Sequence, residues 1–169
     1  MKVVLIVVGV LVIIGLTIYC TGLLLPVKHT ASREARFVAT PEAVWSIISD
    51  FAQWPSWRTG LRSVDVIAGG AGTTDIWRET DTSGHEIRYS TIESVPIRKL
   101  VRRIVSDGLP FGGQWTFDIA PAEKGCILTI TEDGEIYNLI YRFVSKFVIG
   151  HTTTIEKFIG DLQRKLGGG

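Results

Sequence analysis

Cysteine and histidine are scarce in this chain, which has two cysteines and three histidines among 169 residues. Cys20 lies in an apolar run and Cys126 lies deep in the remaining chain, so no disulfide framework is expected. His29, His85 and His151 stand singly, without the close spacing of metal-ligand sets. We therefore expect neither a structural metal nor a cofactor.

An excess of charge is also missing, because 18 basic and 17 acidic residues give a formal net charge of +1. The longest basic tracts are the pairs Arg98-Lys99 and Arg102-Arg103, so nucleic-acid binding would lack its main source of affinity. The sequence has no Gly-x-Ser-x-Gly motif, the turn that holds the nucleophilic serine of many hydrolases, so hydrolysis by a serine nucleophile has no support. The stretch Gly69 to Gly72 lacks the Lys-Ser/Thr of a phosphate loop and is predicted to be a hairpin turn.

What the sequence has is one long apolar segment, Val3 to Leu25, which contains no charged residue. As a helix with a rise of about 1.5 Å per residue it is long enough to cross a bilayer. The rest of the chain alternates polar and apolar residues. We predict a transmembrane anchor over residues 1–25 and one ligand-binding domain over residues 26–169.

The alternative for this segment is a cleaved secretory signal. Signal apolar regions are shorter, and Ile18 to Gly22 offers bulky residues where a peptidase requires small ones. Three cations, Lys28, Arg33 and Arg36, follow the segment, whereas only Lys2 and the α-amine precede it. The positive-inside rule therefore slightly favours a cytoplasmic domain.

The domain reads as a strand, two short helices, six further strands and a C-terminal helix. Thr40-Pro41-Glu42 opens the first helix, with Thr40 as N-cap, and Asp50 to Trp57 continues into the second. Short loops between the strands favour an antiparallel meander. The predicted strands are Thr30–Ala39, Leu61–Ala68, Thr74–Thr80, His85–Ser94, Arg98–Ser106, Gly113–Ala120 and Cys126–Ile136.

The last segment predicts a single long amphipathic helix, because its apolar residues recur every three or four positions. These residues are Ile140, Val144, Phe147, His151, Ile155, Phe158, Leu162 and Leu166. One helix laid across a curved antiparallel sheet cannot fill the concave side completely. We therefore expect an apolar cavity between helix and sheet, and any functional site inside it.

Four motifs carry a resemblance to a known family. They are Ala39 to Trp45, Asp50 to Trp57, Leu109 to Gly113 and Thr131 to Ile136, in that order. Together with the element order they make the domain resemble the SRPBCC superfamily of START-like, polyketide cyclase/dehydrase and lipid-transport-like proteins. The resemblance implies an α+β helix-grip fold with a hydrophobic ligand cavity, and it does not fix a reaction.

Strand alternation predicts which side chains face this cavity. Trp115, Phe117 and Ile119 share one face of their strand, and Glu132 continues the inward face of the next. His151 lies on the apolar stripe of the helix. An imidazole oriented by the Glu132 carboxylate could act as a general base or could hold a ligand's polar head. The alternative is a structural histidine, with Glu132 bonded to a turn amide.

Arg102 and Arg103 must point to opposite faces of their strand unless a bulge intervenes. The inward guanidinium could pair with Glu132 or grip a carboxylate or phosphate. Exposure at the cavity mouth is the alternative. The predicted ligand-contacting set is Trp57, Trp77, Tyr89, Arg102, Phe111, Trp115, Phe117, Glu132, Phe147 and His151.

Three functions fit these features. The first is a membrane-anchored binding protein for a hydrophobic small molecule or lipid, since an anchor raises the effective concentration toward membrane-dissolved ligands. The second is a polyketide cyclase- or dehydratase-like enzyme that uses His151 and Glu132. The third is a stress or assembly partner with a vestigial cavity.

Overall fold

A computed structural model describes residues 1–68 and 75–167 of the chain. The N-terminal helix α1 runs over Lys2–Leu24 and is long and apolar enough to span a membrane. Its side chains are almost all exposed. The predicted turn at Gly69 to Gly72 lies outside the described residues.

Within those residues, one curved sheet of seven antiparallel strands has the order β1-β7-β6-β5-β4-β3-β2. Strands β2 to β7 form the predicted meander, whereas β1 pairs with the last strand because two helices carry the chain from one sheet edge to the other. The strands are β1 Lys28–Phe37, β2 Leu61–Ala68, β3 Ile76–Asp81, β4 Glu86–Val95, β5 Lys99–Ile104, β6 Phe111–Pro121 and β7 Cys126–Ile136.

The crossover consists of α2, Pro41–Ser49, and a short 3₁₀ helix, Phe51–Ser56. Helix α2 begins as predicted, because the Thr40 Oγ1 accepts a hydrogen bond of 3.3 Å from the Ala43 amide. Its apolar stripe is buried, with Val44 and Ile48 at 0% exposure. The helix therefore closes one end of the sheet.

The C-terminal segment differs from the prediction, because it is not one continuous helix. Helix α3, Leu139–Val144, continues into a π-helical turn, Ser145–Ile149, and the chain then bends before α4, Thr153–Lys165. Gly150 makes the bend possible, since its φ of +84° is costly for a residue with a β-carbon. The apolar spacing persists through this glycine, and periodicity alone therefore predicts an uninterrupted helix.

Only α4 covers the sheet in the predicted manner. Ile155, Phe158, Ile159 and Leu162 of α4 are buried. They meet the inward residues Phe117, Leu128 and Ile130 in one hydrophobic core. The seven-stranded, curved antiparallel sheet with its covering helices is the helix-grip fold expected from the sequence.

Asp161 joins α4 to the loop that follows the 3₁₀ helix. This carboxylate is 2% exposed and accepts hydrogen bonds from the Thr59 amide at 2.8 Å and the Thr59 hydroxyl at 3.0 Å. Arg164 forms an ion pair with it. The crossover and the covering helix are therefore held together by one buried acceptor.

Asp161→Asn should lower the free energy of unfolding by about 1.5–3 kcal/mol. The NH₂ group of asparagine is itself a donor, and it would face groups that donate hydrogen bonds to the Asp161 carboxylate. Denaturant unfolding of the detergent-purified chain measures the change. Asp118→Asn, at an exposed position on β6, is the matched control and should shift it by less than about 0.5 kcal/mol. Equal stability of the two variants would contradict the proposed role of Asp161.

Candidate functional site

The concave face of the sheet holds a cavity of about 270 Å³ beside the N-terminal turn of α4. We call it the central cavity. Its wall is mixed, combining aromatic and aliphatic side chains with five polar ones. The lining residues are Arg58, Ile87, Tyr89, Arg102, Ile104, Phe111, Gly112, Gly113, Gln114, Trp115, Glu132 and Thr154.

One wall of the central cavity is a buried ion cluster. Arg102 points inward and is 3% exposed, and its Nη1 donates to the Glu79 Oε1 at 2.7 Å. Arg58 donates from Nη1 to the other Glu79 oxygen at 2.9 Å. Burial raises the pKa of Glu79, but Arg102 and Arg58 outweigh it and leave the pKa below its ordinary value. We call these three residues the arginine cluster.

Aromatic rings enclose the Arg102 guanidinium. Its Cζ lies 4.7 Å from the ring centre of Tyr89, 4.8 Å from that of Trp54 and 4.9 Å from that of Trp115. Each distance is within cation–π range. The Arg102 Nε is buried and has no hydrogen-bond partner among the described residues. Arg102 therefore retains one free donor inside the domain.

Tyr89 lies beside this cluster and contributes a neutral hydroxyl. Removal from water and the nearby Glu79 carboxylate raise the pKa of Tyr89 to about 12. The phenol therefore stays protonated at neutral pH. It can donate or accept a hydrogen bond in the central cavity.

Glu132 lies on the opposite wall and faces inward, as strand alternation predicts. Its Oε2 accepts from the Trp115 Nε1 at 2.8 Å, and its Oε1 lies 3.2 Å from the His29 Nε2. His29 is paired with Gly134 across β1 and β7, and a β-carbon at Gly134 would collide with the imidazole. The missing side chain lets the ring reach Glu132.

His151 lies in the bend after Gly150 rather than on a helical stripe. Its ring stacks on that of His29, with centroids 3.9 Å apart, and its Nδ1 lies 3.0 Å from the Ser145 hydroxyl. His29 therefore takes the place next to Glu132 that the sequence analysis assigned to His151. We call His29 and His151 the histidine pair.

The histidine pair and Glu132 line a second cavity of about 290 Å³. We call it the mouth cavity, and it shares Phe111, Gly112, Glu132 and Thr154 with the central cavity. Its remaining lining comes from Glu135, Ile136, Tyr141, Val144, Ser145, Ile149 and Gly150. Among residues 1–68 and 75–167 no group of three His, Cys, Asp or Glu side chains is placed to hold a metal ion.

The predicted ligand-contacting residues separate into three groups. Tyr89, Arg102, Phe111, Trp115, Glu132 and His151 line the two cavities. Trp77 and Phe117 are at 0% exposure inside the filled core, and Trp57 packs edge-on against Phe158. Phe147 is 59% exposed on the outer surface of the π-helical turn, so its predicted place on a cavity-facing stripe is wrong.

Two further expectations need correction. Arg102 pairs with Glu79 rather than with Glu132, and it is buried rather than exposed at the mouth. Arg103 is the outward member of the arginine pair, and its Nη2 donates to the Gln114 Oε1. The expected apolar cavity also has a polar part, because Arg58, Arg102 and Glu132 all border the central cavity.

His29, Arg58 and Glu79 belong to the site but were not predicted from the sequence. The alternation of side chains along a strand would have predicted two of them. His29 lies on the inward face of β1 with Ala31, and Glu79 lies on the inward face of β3 with Trp77. Arg58 has no comparable signal, because it lies in the loop that follows the 3₁₀ helix. Its position depends on tertiary contacts alone.

The histidine pair predicts a pH dependence. Burial, His29 and Lys146 lower the pKa of His151 from its ordinary 6.5, so the folded chain holds this proton less tightly than the unfolded chain. The resulting stability is present above a pH of about 6.5 and is lost as the pH falls below it. Denaturant unfolding between about pH 5 and 8 should show this loss.

His151→Gln should flatten that dependence, while His85→Gln, at an exposed turn position, should keep it. The two variants remove one imidazole each, so the comparison isolates the stacked ring. If His151→Gln retained the full pH dependence, protonation of His151 would not be its cause.

Comparison with solved structures finds the same fold in several proteins of low sequence identity. A START superfamily protein from Mycobacterium smegmatis is 17% identical with a TM-score of 0.66, and the match covers 82% of this chain and 97% of that one. Norcoclaurine synthase from Thalictrum flavum, solved with dopamine and hydroxybenzaldehyde, is 16% identical with a TM-score of 0.65, over 83% and 87%.

The di-domain ARO/CYC StfQ of the steffimycin biosynthetic pathway is 12% identical with a TM-score of 0.65, over 81% of this chain and 49% of that one. At such identities the likeness shows the fold alone. Comparison with curated protein sequences gives no significant match. A family model described as polyketide cyclase / dehydrase and lipid transport matches residues 28–167. The chain is therefore a member of the polyketide cyclase/dehydrase and lipid transport family.

Proposed function

We propose that this protein is a membrane-anchored binding protein for a small amphipathic molecule, which it holds in the central cavity between the sheet and α4. The observation that carries the proposal is the mixed lining of that cavity. Apolar walls from Ile87, Ile104 and Phe111 surround polar groups that point into the same space. This combination is typical of ligand sites, in which few polar groups fix the orientation of a largely apolar guest.

The polar groups indicate the chemistry of the guest. The Arg102 Nε is a buried donor without a partner, and the ring of Tyr89, which carries a neutral hydroxyl, lies beside its guanidinium. A buried donor that stays unpaired costs about 1–3 kcal/mol. Relief of this cost would favour a ligand oxygen that can reach the guanidinium of Arg102, which borders the central cavity, so we expect a carbonyl, phenol or carboxylate on the ligand.

The size of the cavity limits the ligand. A volume of about 270 Å³ lies at the lower end of known small-molecule pockets, which span about 300–1,000 Å³. The arginine cluster and the large core aromatics restrict any extension toward α2. A single compact ring system or one short chain therefore fits better than a two-chain lipid.

The proposed anchor determines where the domain is located. Helix α1 has the length and composition of a membrane span, and the cations Lys28, Arg33 and Arg36 follow it. Arg142 and Lys146 lie beside the same end of α1. Arg142 donates a hydrogen bond to the Leu25 carbonyl, and Lys146 and Leu25 line the same small cavity. This cluster favours a cytoplasmic domain. A site held there meets membrane-dissolved ligands at a high effective concentration.

One observation supports a cyclase- or dehydratase-like reaction as a second candidate. The Glu132 carboxylate orients the His29 imidazole at 3.2 Å, and both line the mouth cavity. Such a pair can remove a proton from a carbon next to a carbonyl group. His29, rather than His151, would be the base in this case, and His151 would support its ring by stacking.

Thr154→Trp should weaken ligand retention, because residue 154 borders both cavities and its exposed position on α4 can accept an indole without disturbing the core. Native mass spectrometry of the detergent-purified chain should show a bound small molecule in the wild type. In Thr154→Trp the bound fraction should fall at least about tenfold, equivalent to about 1.4 kcal/mol.

Lys165→Trp, at the exposed C-terminal end of α4, is the matched control and should retain the ligand. A wild-type protein that carries no ligand after mild purification would contradict the binding function. That result would favour the reading in which the cavity is vestigial.

Solvent deuterium separates the two candidates. If His29 acts as a base, the co-purified ligand incubated with the protein in deuterated water should gain carbon-bound deuterium. Glu132→Gln should slow this gain by about 10²–10⁴-fold, the usual contribution of a positioned base. Asp133→Asn changes the neighbouring outward carboxylate, which bonds Thr30, and should leave the rate unchanged. No gain with the wild type would contradict the enzymatic candidate.

A further inference from the structure

We infer that residues 139–149 form a second membrane contact, a surface that lies in the bilayer interface and turns the mouth cavity toward the lipid. We call this stretch of α3 and the π-helical turn the portal segment. The inference rests on the proposed membrane anchoring of α1. It goes beyond that anchoring because it states which face of the domain contacts lipid and where a ligand enters.

The portal segment is fixed to the end of the anchor. Gly22 is buried against Leu139, and a β-carbon at Gly22 would collide with the Leu139 carbonyl. The two backbones are therefore in direct contact. Because α1 ends at Leu24, a membrane-spanning α1 places this contact where the hydrocarbon core meets the headgroups.

Arg142 strengthens the same junction through the carbonyl groups at the end of α1. Its Nη1 donates to the Leu25 carbonyl at 3.3 Å and to the Gly22 carbonyl at 3.5 Å. Its Nε donates to the Ile136 carbonyl at 2.7 Å. The last carbonyls of a helix lack partners within it, so Arg142 satisfies them and ties α1 to the end of β7.

The outer face of the portal segment is apolar and uncovered. Its large exposed side chains are Ile140, Tyr141, Phe147, Val148 and Ile149, each between 55% and 71% exposed. A soluble domain rarely leaves so many large apolar side chains together in water. The patch is continuous with the anchor that holds it, so the occupant that fits it is the bilayer interface.

The residue types agree with that occupant. Tyrosine is enriched at the level of the headgroups, which suits Tyr141, and the exposed Lys146 can extend its ammonium to lipid phosphates. Tyr137, half exposed just before the segment, adds a second ring of this kind. The outer face therefore has the aromatic and cationic groups that an interface favours.

The inner side of the same segment lines the mouth cavity. Val144 and Ser145 border it together with His151, and the exposed Tyr141 and Ile149 lie at its edge. A surface that faces lipid on the outside and the cavity on the inside gives a membrane-dissolved molecule a direct route to the binding site. Such a molecule would not have to cross the aqueous phase.

Site-directed spin labelling of the full chain in phosphatidylcholine and phosphatidylglycerol vesicles tests this arrangement. In a Cys20→Ser background, single labels at Phe147→Cys and Ile149→Cys should collide more often with lipid-soluble oxygen than with a water-soluble nickel chelate. Both positions are exposed, so the fold should tolerate the label. Cys126 is at 0% exposure and should not react.

Val66→Cys is the matched control, an exposed apolar residue on β2 at the far edge of the sheet, and it should collide mainly with the nickel chelate. A label at Val12→Cys reports on α1 itself. If Val12 is in lipid while Phe147 is in water, the portal inference is overturned and the anchor stands. If Val12 is also in water, the anchoring in the proposed function fails.

Two other outcomes overturn parts of the inference. A Phe147 label shielded from both reagents would mean that another protein or a second copy of the chain covers the segment. A Phe147 label in lipid with an Ile149 label in water would keep the membrane contact. That outcome would remove the lipid-facing opening of the mouth cavity.

Discussion

The burial of Arg102 constrains the interior of this domain more than any other interaction. A guanidinium on the concave face of a curved sheet requires a carboxylate, and Glu79 supplies it from the neighbouring part of the same face. Because Glu79 also binds Arg58, the loop after the 3₁₀ helix is fixed to the sheet by the same carboxylate. Removing Glu79 would leave two buried guanidiniums without their carboxylate, and an uncompensated buried charge typically costs about 3–5 kcal/mol.

This cluster divides the space under the C-terminal helices. On the side toward α2, the rings of Trp54, Trp77, Phe117 and Phe158 fill the interior completely. On the side toward α3, the wall is made of shorter or polar side chains and the space stays open. The domain is thus a solid core joined to a partly polar chamber. That division is the basis for the polar group expected on the proposed ligand.

Much of this architecture follows from local sequence rules. The strands Leu61–Ala68 and Cys126–Ile136 have the predicted bounds, and alternation correctly places Trp115 and Glu132 on the inward face. The Thr40 cap and its proline give the start of α2. These features depend on periods of two or on single backbone positions, and the neighbouring residues suffice to fix them.

The features that the sequence did not predict depend on contacts between distant residues. His29 reaches Glu132 because Gly134 leaves room across the strand pair, and the sheet register decides this. The bend at Gly150 is concealed by an apolar spacing that continues on both sides of it. Arg58 takes its place from Glu79, twenty-one positions later along the chain. Pattern reading cannot supply such pairings without the fold.

The close approach of Gly22 to Leu139 has a mechanical consequence. A domain joined to its anchor by a long flexible linker could swivel and tilt freely, whereas backbone contact reinforced by Arg142 leaves little rotational freedom. With α1 in a membrane, as proposed, the angle between the sheet and the bilayer normal would be fixed. Any neighbour that diffuses in the same leaflet would meet the domain at constant height and with a fixed face toward it.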